Sequence, residues 1–225
     1  MGSYPNFIDR SPAGLVDALC SRIEKALESF WQKSEFKDEE FHIPHVHPQY
    51  LPVSKTESEE RDTTKDYPFV QVENNRYYLD RDIDGNYSAA GTIFMDCLCS
   101  NDFSDFNTVL YGHHMKNGTM FGSMAQFNDK DFFDTNKTGT VFLADKTFSI
   151  DIFAYMIIQA DDLVVYESPS DAEGKKTSLE YIRENARHYR DVGVGTEDQI
   201  ITLSTCAYEF KNARMLLIGK LTRIQ

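Results

Sequence analysis

Two kinds of apolar pattern run along this chain. Near its start Leu15, Leu19, Ile23, Leu27 and Phe30 recur at helical spacing behind Ser11-Pro12, a capping residue followed by proline at the first helical position. The pattern predicts an amphipathic helix inside a small appendage spanning residues 1–33. From residue 34 to residue 65 the rhythm is lost. Pro44, Pro48, Pro52 and the charged stretch Lys55 to Asp62 predict a polar, extended linker there.

From residue 66 to the C-terminus the apolar residues gather into short β-branched and aliphatic runs, which predict strands and a single β-rich domain over 66–225. Tyr77-Tyr78-Leu79 and Thr92-Ile93-Phe94 read as two strands flanking a turn at Asp80 to Asn86, and Asn107 to Tyr111 as a strand that stops at Gly112. Gly139 to Gln159 gives two strands about an Asp145-Lys146 turn. Gln199 to Cys206 is an apolar strand ending on a cysteine; the polar segment Glu209 to Asn212 then turns the chain into a second apolar strand headed by Arg214. Two helices interrupt the series. One covers Asp129 to Asn136; the other is capped by Ser178 and carries Leu179, Ile182, Ala186 and Tyr189. Val192-Gly193-Val194-Gly195 lacks the strand-to-helix setting of a nucleotide loop and reads as a hinge or turn.

Composition narrows the function. With 225 residues, 41% hydrophobic and 13% aromatic, the chain can close one substantial core, and a second full domain is not expected. A formal net charge of -13 argues against a nucleic-acid partner, whose phosphates call for clustered Lys and Arg. It also keeps the chain off anionic lipid unless something anchors it. No apolar run approaches the roughly 20 residues of a membrane helix.

Several residue clusters suggest chemistry that their context does not support. Cys97 and Cys99 alternate along a predicted strand and face the same way, a poor geometry for bridging each other, and Cys20 lies on a helix flank. The C-x-C pair has no second pair nearby to complete a metal site. His42, His45 and His47 sit in a Pro-rich segment without a rigid framework. Asp80 to Asn86 reproduces the first half of an EF-hand loop, but the twelfth position is Gly91 where a bidentate Glu is required, and an Asp-Gly-Asn turn explains the same residues. Neither a metal nor a cofactor is expected.

The C-terminal hairpin carries more. If it is symmetric about Phe210, Cys206 and Arg214 stand opposite each other with Cβ atoms about 5 Å apart. A fixed cation beside a thiol favours the thiolate, which is the nucleophilic form. A buried cysteine serving as a small hydrophobe fits the same hairpin. His113 and His114 follow the strand that ends at Gly112 and precede an Asn-Gly turn. Histidine there can act as acid or base near neutral pH, and a catalytic Cys and His need be adjacent only in the fold.

Together, Thr202-Leu203-Ser204-Thr205-Cys206 with the downstream Arg214, Asn107-Thr108-Val109-Leu110-Tyr111-Gly112-His113 running on into Met115-Lys116-Asn117-Gly118-Thr119-Met120-Phe121-Gly122-Ser123, and Gly91-Thr92-Ile93-Phe94-Met95-Asp96 resemble the sortases, class B in wording. The resemblance covers Asp66 to the C-terminus. It implies a mainly β fold, an eight-stranded sortase-type β-barrel with an N-terminal helix and a helix in the connection before the cysteine strand. It implies Cys206 as nucleophile, Arg214 as the cation steadying the oxyanion, and His113, directly after the glycine, as acid/base. His114 stands where relatives often have Asn and reads as a polar loop residue. Ser204, Asn75 and Leu79 match segments that line the family's substrate groove. The class B lead-in resembling N-x-D-x-x-G-W-I is absent here, and the single tryptophan, Trp31, lies in the predicted N-terminal helix.

By the same resemblance the activity is acyl transfer. A C-terminal sorting motif of a secreted protein is cleaved through a thioester on Cys206 and passed to a peptidoglycan amine, at the extracytoplasmic face of a Gram-positive membrane. The family's N-terminal membrane anchor is not found in this chain, which suggests a truncated soluble form. Two other readings stay open: a non-catalytic peptide-binding barrel, and a cysteine peptidase that only hydrolyses. A papain-like enzyme would place its cysteine near the N-terminus within C-G-[SA]-C. An L,D-transpeptidase resembles S-H-G-C at its cysteine, and Ser204-Thr205-Cys206 lacks both the histidine and the glycine.

Overall fold

The computed structural model describes residues 49–52 and 66–224. The predicted N-terminal helix, the three histidines of the linker, Cys20 and Trp31 lie outside the described residues. Nine strands form one sheet: β1 Gln49–Pro52, β2 Asp66–Val70, β3 Ile93–Met95, β4 Asn107–Tyr111, β5 Thr138–Phe142, β6 Thr147–Gln159, β7 His188–Tyr189, β8 Gln199–Cys206 and β9 Ala213–Arg223. Eight of them lie in the order β1-β2-β3-β4-β8-β9-β6-β5, and β7 pairs with β6 off that path. The β1 and β5 ends approach each other, yet no ladder joins them among the described residues. The mainly β expectation holds, with a sheet that curls into a barrel without hydrogen-bonded closure. β1 falls inside the segment expected to be linker and pairs antiparallel with β2.

The middle strands are apolar on both faces because both are covered. In β8, Ile201 packs inside the barrel with Leu110, Met215 and Leu217, while Ile200 packs on the outer side with Leu216, Ile218 and Phe106. In β6 the two halves of the strand obey opposite parities. Phe148, Ile150 and Ile152 face inward; beyond Phe153, Tyr155 is the inward residue and Ala154, Met156 and Ile158 point outward. The cause is a register shift against β9 between Ile152 and Ala154, a one-residue bulge that turns the alternation over. Gly219 of β9 lies opposite Ile152 at this point. A Cβ there would sit 2.2 Å from Ile150 Cγ2.

The outer cluster is roofed by the connection between β6 and β8. Helix α1 (Lys130–Thr135) lies earlier, after the His113 loop; its cap Asp129 accepts from the Phe132 N–H, as the sequence predicted for Asp129 to Asn136. Helix α2 spans Ala172–Asn185 and buries Ile182 on that outer cluster. It starts well before the predicted cap. The Asp171 carboxylate accepts from Gly174 N–H, and Ser178 is a buried residue inside the helix. Tyr189 is not helical: Arg187 N–H and Arg190 N–H donate to the Tyr155 and Phe153 carbonyls, which draws that segment into β7.

Two further expectations are corrected. Tyr77–Leu79 is a 3-10 turn, since Asn74 Oδ1 accepts the Arg76 and Tyr77 N–H groups and bends the chain before a strand can form. Cys97 and Cys99 lie beyond β3 in a turn in which Leu98 N–H donates to Asp96 Oδ1 and Cys99 N–H to the Asp96 carbonyl. In the EF-hand-like stretch, the Asp82 carboxylate accepts the Asp84 and Asn86 N–H groups at 3.0 and 2.9 Å and closes a turn between Arg81 and Tyr87.

One buried polar group ties the roof to the sheet. Asn107 Nδ2 donates to the Val165 and Glu167 carbonyls, and its Oδ1 accepts from Thr202 Oγ1 at 2.8 Å. Asn107→Ala leaves a buried hydroxyl and a buried carbonyl without partners, and its expected cost is about 3 kcal/mol. Urea unfolding should show that loss, and Thr202→Val added to it should cost less than the two single changes summed, because they share one bond.

Candidate active site

Three neighbouring strand ends meet at one edge of the sheet. β8 pairs antiparallel with β9, and the last pair of that ladder is Cys206 opposite Arg214, as the hairpin symmetry predicted. On its other side β8 runs parallel to β4 with Tyr111 beside Ser204, and Gly112 N–H extends the ladder to the Ser204 carbonyl at 3.2 Å. His113 follows directly after this last rung, at the same end of the sheet as Cys206. A sulfur, an imidazole and a guanidinium are thus delivered to the same rim by β8, β4 and β9.

The face of β8 that carries Cys206 changes character along its length. Ile200 is apolar. Thr202 and Ser204 are buried hydroxyls with partners, and Cys206 emerges exposed. The strand therefore has a dry, pinned base and an accessible nucleophilic tip. Arg214 donates Nη1 to the neighbouring Ala213 carbonyl, and no carboxylate pairs with it among the described residues. Its other N–H groups remain to be offered to a ligand.

His113 is oriented by backbone. Its Nε2 meets the Leu79 carbonyl at 2.5 Å. A carbonyl only accepts, so Nε2 carries the proton and Nδ1 is the nitrogen that exchanges protons in the neutral ring. The approach depends on Gly91, held at φ +59: a Cβ there would stand 2.6 and 2.7 Å from the Tyr78 and Leu79 carbonyls and 3.1 Å from His113 Cδ2. Leu79, expected in the groove, is exposed there and contributes its main chain to His113.

The other two expected groove residues have internal partners. Asn75 donates Nδ2 to Asp96 Oδ2 at 3.0 Å and accepts Cys97 N–H at 2.8 Å, bracing the turn after β3. Asp96 Oδ2 also accepts from Tyr111 at 2.8 Å. Burial and the Asp96 charge push the Tyr111 phenol far above the usual range and keep it protonated. Ser204 Oγ lies 3.0 Å from the Tyr166 hydroxyl, and the Tyr166 ring stacks on Tyr111 at 6.1 Å.

Tyr166 is a site residue that sequence reading missed. Its phenol is raised chiefly by burial, while the Ser204 bond and the Arg214 charge draw it back, and Cys206 also acts on it electrostatically. Its hydroxyl is held by Ser204, which lies two residues before Cys206 on the same face of β8. Only its place in the connection before the cysteine strand hinted at this. His114, which the sequence places in a polar loop, meets the Cys206 carbonyl through its Nδ1 at 2.8 Å.

The comparisons bear on this arrangement. The family model for the Sortase domain matches residues 66–222. The Sortase B of Listeria monocytogenes is 33% identical over 162 residues, 71% of this chain and 66% of that protein's length. Among solved structures, the sortase B of Clostridium perfringens superposes with a TM-score of 0.69 at 30% identity, covering 78% of this chain and 93% of that one. The sortase B of Bacillus anthracis gives 0.70 at 31% identity, covering 79% and 78%.

The thiols differ enough to be told apart chemically. Cys99 is pushed up to about 11, mainly by burial, and Cys97 is raised by burial and by Asp96, whereas Cys206 is exposed beside Arg214. Alkylation with iodoacetamide at pH 7, read by peptide mass spectrometry, should label Cys206 at least ten times faster than Cys99.

Proposed function

This chain belongs to the sortase family, in its class B branch, and from that premise we propose that it is a cysteine transpeptidase working through Cys206, His113 and Arg214. What supports the proposal is that β8, β4 and β9 end at one rim, with Cys206 paired opposite Arg214, His113 just beyond the end of β4, and the sulfur exposed. Residues 66–225 are read as the catalytic domain, preceded by a helical appendage over 1–33 and a polar stretch over 34–65 that contributes β1.

The Cys206 thiolate attacks a backbone carbonyl carbon of a bound peptide, and the carbonyl π electrons move onto oxygen. Arg214 donates to that oxyanion from a planar fork. Removing such a donor costs about 3 kcal/mol of transition-state stabilisation. The C–N bond then breaks as protonated His113 gives its proton to the departing amine, leaving a thioester on sulfur. An incoming amine adds to the thioester, loses a proton to His113 and expels the thiolate.

The finer reading follows from the family. The acyl donor is a secreted protein with a C-terminal sorting motif, and the acceptor is an amine of a peptidoglycan precursor or cross-bridge. The setting is the outer face of a Gram-positive cell membrane. No helix among the described residues is long and apolar enough to cross a membrane.

A library of sorting-type peptides incubated with hydroxylamine tests the reading. Mass spectrometry should show cleavage with hydroxamate as the product. Retention of peptide without cleavage would instead indicate a binding barrel, and acid formed regardless of hydroxylamine a plain peptidase. Cys206→Ala should abolish turnover and His113→Ala lower it by 100-fold or more. Arg214→Lys should lose about 100-fold, because a point charge does not replace the fork.

A further inference from the structure

We propose that His114 is a positioning residue for the transpeptidation: its side chain takes the place of a missing backbone rung and clips the Cys206 carbonyl to the loop that carries His113. The inference rests on the transpeptidase reading above. The last backbone rung between β4 and β8 is Gly112 N–H to the Ser204 carbonyl. In a parallel ladder the next donor lies two residues on along both strands, so it would be His114 N–H to the Cys206 carbonyl. That rung is not made by backbone. His114 instead pairs through its backbone with Met120, and Phe121 N–H donates to the His113 carbonyl, which folds the loop back on itself. The Cys206 carbonyl is met at 2.8 Å by His114 Nδ1.

This substitution of side chain for main chain reconciles two demands. The loop must leave the sheet for His113 to reach the Leu79 carbonyl, and the nucleophile's own peptide unit must stay in register with β4. A carbonyl oxygen only accepts, so the bond requires hydrogen on Nδ1. Both the Nδ1–H tautomer and the imidazolium have it, and the clip therefore persists whether or not the ring is charged. The His114 ring also lies 5.0 Å from the ring of Tyr208, two residues past the nucleophile, so the clip holds both sides of Cys206. Asparagine at this position has a donor, Nδ2, at nearly the reach of the histidine Nδ1, whereas alanine has none.

The test is steady-state cleavage of the peptide selected in the hydroxylamine assay, with 15N NMR of the imidazoles. His114→Ala should lower kcat about 10-fold with KM changed less than 2-fold, and His114→Asn should recover most of that loss. The imidazole spectrum of the unmodified protein should show His114 with hydrogen on Nδ1. The inference is overturned if His114→Ala keeps the full kcat, if Asn is no better than Ala, or if a neutral His114 ring holds its hydrogen on Nε2. Absence of any Cys206-dependent cleavage in the unmodified protein, with Nδ1–H still seen, would bring down the transpeptidase reading while leaving the clip itself standing.

Discussion

The register of β8 against its two neighbours is the constraint on which the rest depends. Among the described residues β8 is the strand that lies between β4 and β9, and its last residue is the cysteine. Because side chains alternate with a period of two, a slip of one residue on either side would send Cys206 to the other face from Arg214 or shift it against the strand that leads to His113. Burial of both faces prevents that slip. Ile200 and Ile201 belong to different apolar clusters, and exchanging them would expose each to the wrong environment. The precision of the reactive end is therefore set by packing several residues away from it.

A second layer of control is polar and buried. Asn107 joins the roof to Thr202, Tyr166 joins it to Ser204, and Asp96 joins Tyr111 to Asn75. Each bond removes a rotational freedom from the walls of the site before any ligand arrives. Satisfied groups of this kind rigidify, while a half-satisfied network would loosen the same walls. Of the three residues expected in the groove, Ser204 and Asn75 have side-chain partners within this framework.

Much of this was legible in the chain and some was not, for separable physical reasons. The cysteine hairpin was readable because its apolar runs are long and its polar turn short, which leaves one symmetric register. The start of α2 is hard to place from sequence because its first turn opens on exposed Ala172 and Glu173 and has no apolar rhythm, while the Asp171 cap marks it. Tyr77–Leu79 has strand-like residues, but the Asn74 side chain decides the local backbone. Tyr166 and His114 were invisible as site residues because their importance lies in partners 38 and 92 positions away in sequence. Nothing in the local composition signals such a distant bond.

The bulge at Phe153 has a consequence for exchanging parts between related proteins. Positions of β6 before it and after it count inward and outward residues by opposite rules. A chimera spliced across this strand from a relative without the extra residue would match by alignment and yet be inside out over half its length. The safe junctions are the loops on either side, with β6 transplanted whole together with the glycine of β9 that accommodates it.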